Sequence, residues 1–256
     1  MPPLVSVITP AYNAERFIGQ AIASVRAQSM PDWEMVVADD GSTDGTIGIV
    51  QELAARDPRI TLLRMPRNGG PGPARTAAIE RARGRFLAFL DADDLWDGDK
   101  LELQVAFMRE HGHAFAYTGY RVIGEDGREL GRAGPFPATI GYREMLVEQP
   151  GCLTVMLDRE RLGEIRFPPF RRNQDGAMWL LLMRRDGIVA RGLERDLASY
   201  RAVRTSITAN KLKSARAVWT VYREQEHLPV AVAAGYFVRY ALRGLRKHLA
   251  TRARQS

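Results

Sequence analysis

Phe86-Leu-Ala-Phe-Leu-Asp-Ala-Asp-Asp-Leu95 decides how this chain folds. Five apolar residues, Phe86 to Leu90, have the length of a strand rather than a helix, and an unbroken apolar run suits a strand buried on both faces. The run stops at Asp91, Asp93 and Asp94. A strand built this way delivers carboxylates to the edge of its sheet.

The residues before it place that strand in a series. Helical spacing predicts a helix over Pro73 to Ala82, with Gly84 as its stop. Further back come a strand at Arg59 to Met65, a helix at Thr43 to Ala55 with Ile47, Val50 and Ala54 on one face, and a strand at Trp33 to Asp39. Asn13 is the expected cap of a helix carrying Ile18, Ile22 and Val25, and Leu4 to Thr9 reads as the first strand. This alternation implies a parallel sheet with right-handed crossovers. Ligands of such sheets bind beyond the carboxyl ends of the strands. Three strands end there in polar residues: Thr9-Pro10, Asp39-Asp40-Gly41 and Asp91-Ala92-Asp93-Asp94.

Beyond Asp94 the pattern loosens. Lys100 to His111 reads as a helix. Ala114 to Val122 and Glu129-Leu130 form a hairpin around Gly124-Glu-Asp-Gly127. Thr154 to Leu157 is a short strand, and Asp175 to Arg185 a helix with Trp179, Leu182 and Met183 as its apolar side. Trp96, Trp179 and Cys152 read as buried, and His111 and His113 as turn residues.

Composition narrows the class. The 256 residues are 45% hydrophobic and 26% charged, which fits a globular core and excludes a mainly disordered chain. Cys152 is the single cysteine, so no disulfide forms within the chain, in keeping with a reducing cytosol. No basic segment followed by a long apolar run opens the sequence, so no signal peptide is expected, and Val230 to Val238 is too short to span a bilayer. The net charge is +7, and Arg239, Arg243, Arg246, Lys247, Arg252 and Arg254 supply six of those charges after the last acidic residue, Glu226. With the rest nearly neutral, a nucleic-acid binder is not indicated.

Two acidic clusters on one sheet edge repel each other unless a cation joins them. Hard oxygen ligands without nearby His or Cys suit Mg2+ or Mn2+, ions that bridge carboxylates to substrate phosphates, and a nucleoside diphosphate is the natural partner. The plainer alternative is that Asp39 and Asp40 cap the next helix while Asp91, Asp93 and Asp94 form a solvated turn. Arg67-Asn-Gly-Gly-Pro-Gly-Pro73 offers backbone amides at a helix start, but it is neither a P-loop nor a dinucleotide fingerprint.

Val5-Ser-Val-Ile-Thr-Pro-Ala-Tyr-Asn13, Ala38-Asp-Asp-Gly-Ser-Thr-Asp44, Asn68-Gly-Gly-Pro71 with Ala74-Arg75, and Phe89-Leu-Asp-Ala-Asp-Asp-Leu-Trp96 together resemble glycosyltransferase family 2, in order and spacing. The resemblance implies an α/β fold of the GT-A type: a Rossmann-like, mixed but mainly parallel sheet flanked by helices, with a helical C-terminal tail. It divides the chain into a nucleotide-sugar half (1–97), an acceptor and catalytic half (98–208) and the tail (209–256). It implies that Thr9, Ala11 and Tyr12 line the nucleoside pocket, that Asp40 bonds the base, and that Asn68, Gly70 and Arg75 lie near base and ribose. Asp91 and Ala92 would contact the donor, with Asp93 and Asp91 as ligands of Mn2+ or Mg2+. In the second half, Asp175 matches the family's base, beside Gln174 where the family usually has Glu. A carboxylate base takes the acceptor proton in an inverting transfer. Tyr200-Arg201 and Ser206-Ile-Thr208 match a segment over the diphosphate, which offers Arg201 or Arg204 to phosphate. The His some members carry there is absent.

The tail repeats Ala234, Phe237, Val238, Ala241, Leu242, Leu245 and Leu249 at helical spacing, with the basic residues largely elsewhere. Such a helix lies on an anionic membrane, packs on the catalytic body, or meets a second copy in a homodimer. With Asn210 to Arg223, it is most similar to bacterial transferases of teichuronic acid, capsule and lipopolysaccharide assembly. The function implied is transfer of a sugar from a nucleotide-sugar, UDP-linked by preference, to a hydroxyl of a lipid-linked cell-surface glycan, at the cytoplasmic face of the membrane. The competing readings are a nucleotide-binding or membrane-docked scaffold that has lost catalysis, for which Gln174 speaks, and a sugar nucleotidyltransferase, against which Pro10-Ala-Tyr-Asn13 after the first strand speaks.

Overall fold

The computed structural model describes residues 2–133, 137–203 and 211–253. Its first half runs β1 (Val5–Ala11), α1 (Ile18–Arg26), β2 (Trp33–Asp39), α2 (Thr46–Arg56), β3 (Ile60–Arg64), α3 (Pro71–Arg81) and β4 (Phe86–Phe89). The chain continues through β5 (Leu95–Trp96), α4 (Lys100–Glu110), the β6 (Phe115–Ile123) and β7 (Glu129–Ala133) hairpin, β8 (Thr139–Ile140) and α5 (Tyr142–Met145). There follow β9 (Met156–Asp158), α6 (Arg159–Leu162), α7 (Gln174–Asp186), the long β10 (Ala190–Arg201), α8 (Lys211–Thr220) and α9 (Val230–Ala253).

One sheet carries both halves, in the order β3-β2-β1-β4-β9-β6-β10-β5, with β7 beside β6 and β8 beside β10. The first four strands are parallel, as the alternation predicted; β9 runs antiparallel between β4 and β6. Because β1 lies between β2 and β4, with Ala11 opposite Asp39 and Ile8 opposite Phe89, the three polar strand ends converge on one edge.

Side chains alternate across this sheet, as the two-residue strand period requires. Val5, Val7, Met35, Val37, Phe86 and Ala88 face a core that takes the apolar sides of α1 and α4. Ile8, Val36, Ala38, Leu87 and Phe89 face the opposite core, against α3 and α7. Trp179 fills that second core, edge-on to Phe89 and Phe115 with ring centres 5.6 and 5.2 Å away.

Three expectations are corrected. Asn13 does not cap a helix: it takes a left-handed φ of 48° and accepts the Thr43 amide at 2.9 Å, while α1 begins at Ile18. Cys152 to Thr154 is a 3-10 turn, so the strand expected from Thr154 starts at Met156. The tail's apolar stripe is divided. Ala233 is buried, and Tyr236, Phe237 and Tyr240 pack on the core, whereas Val238 and Leu242 are exposed. Arg204, Ser206, Thr208 and Arg254 lie outside the described residues, as do the side chains of Leu245, Arg246, Lys247, Leu249 and Arg252. No helix among the described residues is long and apolar enough to cross a membrane.

Candidate active site

The end of β2 is built from carboxylates that accept backbone amides. Asp39 is buried, and its Oδ2 accepts the amides of Gly41 and Ser42 at 3.2 and 3.1 Å. Asp40, also buried, accepts Gly69 N at 2.8 Å on Oδ1 and Gly70 N at 2.7 Å on Oδ2. It therefore staples the glycine-rich loop to the strand end. Gly70 has φ 91° and ψ 171° just before Pro71 opens α3, a conformation that favours glycine because it has no Cβ. Beside this staple lie Thr9, buried with its hydroxyl unpartnered, Ala11, whose carbonyl accepts Asp40 N at 2.8 Å, and the half-exposed ring of Tyr12. Asn68 is exposed on the loop itself.

The end of β4 is different. Asp91 forms an ion pair with the Nη2 of Arg75, a buried arginine from α3 that lies over the Phe167 ring. Burial alone lowers the basicity of this guanidinium, but the Asp91 charge, with Cys152 and Asp175, carries its pKa up. Its Nε and Nη1 are buried without partners. Asp93 sits two residues on, and burial together with the Asp91 charge pushes its carboxyl up to about 6, against the pull of Arg201 and Arg75. Asp94 is fully buried. Its pKa is raised well above the usual range by burial, then by Asp93 and Asp91, and its Oδ2 has no partner.

Arg201 closes this region from β10. Its amide donates to Asp94 Oδ1 at 2.8 Å, its Nε to the Asp93 carbonyl at 2.8 Å, and its Nη2 to Gln20 Oε1 at 2.8 Å. Nη1 reaches the carbonyls of Gly124 and Glu125 at 3.3 and 3.2 Å, and the group lies over the Phe17 ring. Each guanidinium nitrogen is thus engaged by protein. The structure makes Arg201 a buried clamp on the Asp93-Asp94 turn, where the sequence offered it to phosphate.

Asp175 enters from the first turn of α7. Asn173 before it holds a left-handed φ of 54° and makes no side-chain cap, a local strain of the kind that collects at functional sites. The Asp175 carboxyl is pushed up by burial, an effect that Arg75 and the Gly176 amide oppose and the Asp91 charge reinforces. Arg75 is therefore within charge reach of both Asp91 and Asp175, and it links the two halves of the site. Gln174 is buried with Oε1 unpartnered. Cys152, read from sequence as filler, is buried within the fields of Arg75, Asp91 and Asp175. Its position was invisible in the sequence, because the turn that carries it has no motif.

Among the described residues no three His, Cys, Asp or Glu side chains converge into a closed metal cage. Asp91 and Asp93 nevertheless suit a hard divalent ion that takes one or two carboxylates and completes its shell with phosphate and water. The raised Asp93 pKa, set first by burial and then by the Asp91 charge, marks a carboxylate whose ionised form a bound cation would favour.

Two acidic strand ends on a mainly parallel sheet, with a carboxylate brought from the second half, define a nucleotide-sugar-dependent glycosyltransferase of the GT-A type. The family model described as "Glycosyl transferase family 2" matches residues 6–169. The chain is 46% identical over 248 residues to a putative teichuronic acid biosynthesis glycosyltransferase of Bacillus subtilis, covering 96% of this chain and 98% of that protein. It is 37% identical over 248 residues to an Escherichia coli UDP-Glc:alpha-D-GlcNAc-diphosphoundecaprenol beta-1,3-glucosyltransferase, covering 96% and 95%. Among solved structures, a Pyrobaculum calidifontis mannosyltransferase in complex with GDP-Man and Mn2+ matches with TM-score 0.71 at 20% identity over 99% of this chain and 75% of that one. S. aureus TarS 1-349 with UDP-GlcNAc matches with TM-score 0.69 at 22% identity over 96% and 73%. The chain belongs to glycosyltransferase family 2.

Proposed function

We propose that the protein transfers a hexose from a UDP-sugar, with inversion, to a hydroxyl of a glycan carried on a polyprenyl diphosphate lipid. The observation that carries this reading is the grouping of Asp91, Asp93 and Asp175 around Arg75, with donor-side acids from β4 and a third carboxylate from α7. The E. coli relative named for a diphosphoundecaprenol acceptor, aligned over nearly the whole chain, supports the substrate class.

In this mechanism Asp175 accepts the proton of the acceptor hydroxyl as its oxygen attacks the anomeric carbon from the face opposite the diphosphate. The bond from that carbon to the diphosphate oxygen breaks, and configuration inverts. A raised carboxyl pKa improves Asp175 as a base, provided the pH stays above it. Thr9, Ala11, Tyr12, Asn68 and the Asp40-stapled loop cradle the nucleoside, while Asp91, Ala92 and Arg75 fix the donor side. Asp93, with Asp91, holds Mn2+ or Mg2+. Such an ion, when bound, supplies positive charge to the leaving diphosphate. The outer face of α9, where Val238 and Leu242 are exposed beside Arg239, rests on the anionic inner leaflet and keeps the enzyme peripheral to the membrane that holds its acceptor.

Asp175→Asn tests the core of this reading. Transfer from UDP-glucose with Mn2+ is expected to drop by roughly a thousandfold, while UDP binding by calorimetry stays within about twofold. Near-normal turnover in this variant removes Asp175 from the role of base.

A further inference from the structure

α9 lies beyond the residues matched by the family model, yet its inner face packs on the core that contains α7. Ala233, Tyr236, Phe237 and Tyr240 recur at three- and four-residue spacing and pack on the core that contains α7. Phe237 meets Trp219 of α8 edge-on, with ring centres 5.7 Å apart. Three residues past Tyr240, Arg243 forms an ion pair with Glu148, a largely buried carboxylate in the loop after α5. The next residue, Gln149, presses on Gly176: a Cβ at that glycine would lie 2.1 Å from Gln149 Oε1. Gly176 follows Asp175 directly. A continuous set of contacts thus runs from α9 through the 148–149 loop to the start of α7.

Tyr240 stands within this frame, half-buried and in the electrostatic field of Asp175. Its ring is tilted against Phe237 at 6.3 Å, and its hydroxyl has no hydrogen-bond partner among the described residues. An aromatic ring with an unused hydroxyl, within charge reach of a carboxylate, suits a pyranose: the ring covers the C–H face of the sugar and the hydroxyl meets one of its oxygens.

We propose that Tyr240 forms the wall of the acceptor subsite and holds the acceptor sugar ring with its attacking hydroxyl directed at Asp175, the Arg243–Glu148 pair fixing the helix in place. This rests on Asp175 being the base. It adds a role for the tail helix on its inner face, distinct from any contact of its outer face with a membrane.

The test uses the full chain with Tyr240→Ala and Tyr240→Phe, UDP-glucose, Mn2+, and N-acetylglucosaminyl diphosphoundecaprenol as the acceptor probe. Transfer and the slow hydrolysis of UDP-glucose by water are measured side by side. Losing the ring is expected to raise the acceptor KM about tenfold, while hydrolysis stays at or above the wild-type rate. Tyr240→Phe keeps the ring and is expected to raise KM less, about threefold. An unchanged acceptor KM in Tyr240→Ala overturns the proposal, as does hydrolysis that falls in step with transfer, which marks a merely structural residue. If the wild type leaves this lipid unglycosylated, the acceptor class proposed above is wrong and hydrolysis alone decides. A rise in Tyr240→Ala, as water enters past the missing wall, then supports the wall, and any other result overturns it. Transfer retained in Asp175→Asn breaks the base assignment instead.

Discussion

Two neighbouring parts of one sheet edge end in acid, and they treat it in opposite ways. At the end of β2, Asp39 and Asp40 are buried and take four backbone amides, those of Gly41, Ser42, Gly69 and Gly70. At the end of β4, Asp91 has one arginine, and Asp93 and Asp94 are desolvated beside it with their charges in mutual repulsion. The first arrangement is nearly complete without a ligand, because amide donors meet three of its four carboxylate oxygens where water is excluded, and Asp39 Oδ1 alone is left without one. The second holds carboxyls whose ionised forms are disfavoured by burial and by one another, a conflict that a bound cation would relieve. Acids that hold the fold and acids proposed to meet the substrate are therefore separable by one property, namely the sign of the stability change when the charge is removed.

Asp93→Asn gives the largest effect. Its carboxyl titrates near 6, above the usual 3.8, so between those values the folded chain binds more protons than the unfolded one. The stability tied to this proton is present below about pH 4 and is lost as pH rises through 6, a cost on the order of 3 kcal/mol at neutral pH. Asparagine never ionises. In chelator at pH 7.5 the variant is expected to melt above the wild type, and at pH 4 the two should coincide, while transfer with Mn2+ drops by at least about a hundredfold. A variant that melts lower at pH 7.5 would show that Asp93 is a structural acceptor like Asp40, and the contrast between the strand ends would collapse.

Asp40→Asn should move stability the other way. One oxygen that accepts a glycine amide becomes an NH2 group, so a donor faces a donor in a buried place. The expected loss is roughly 2–3 kcal/mol, or about 5–10 °C in melting temperature for a chain of this size. The glycine loop should also loosen, seen as faster amide exchange at Gly69 and Gly70 in the absence of nucleotide. Unaltered exchange there would show that the loop is held by something other than this carboxylate.

The fold was legible because its signal is periodic. β2 was read at its observed bounds and β4 to within one residue, since continuous apolar runs between helical patterns are what a central parallel strand requires. β10 was missed for the complementary reason. Ala190 to Arg201 is rich in Arg, Glu and Asp, and its place beside β6 depends on partners distant in sequence. Within the site, residue types announced the acids but not their surroundings. Nothing in Asp39-Asp40-Gly41 says that the pair binds amides while burial and mutual repulsion push the Asp93 and Asp94 carboxyls up. That difference arises when α3 brings Arg75, and β10 brings Arg201, to the second cluster and the glycine loop to the first. The same holds for Tyr240, which feels the charge of Asp175 only because the inner side of α9 packs on the core that contains α7.

The smallest predicted effect separates two adjacent residues of the same type. Asp39 uses only Oδ2, which accepts both the Gly41 and Ser42 amides, and its Oδ1 is buried with no partner. An asparagine at this position can turn its carbonyl oxygen toward those two amides and leave its NH2 on the side where nothing bonds now. It loses the extra strength that a charged acceptor gives, but no hydrogen bond. Asp39→Asn is therefore expected to cost under about 1 kcal/mol, a melting shift of roughly 3 °C or less, where Asp40→Asn costs two to three times as much. Paired melts of the two variants at pH 7.5 read the difference directly. Equal losses would mean that the burial of the charge, and not the number of amides each oxygen receives, sets the stability of the β2 end.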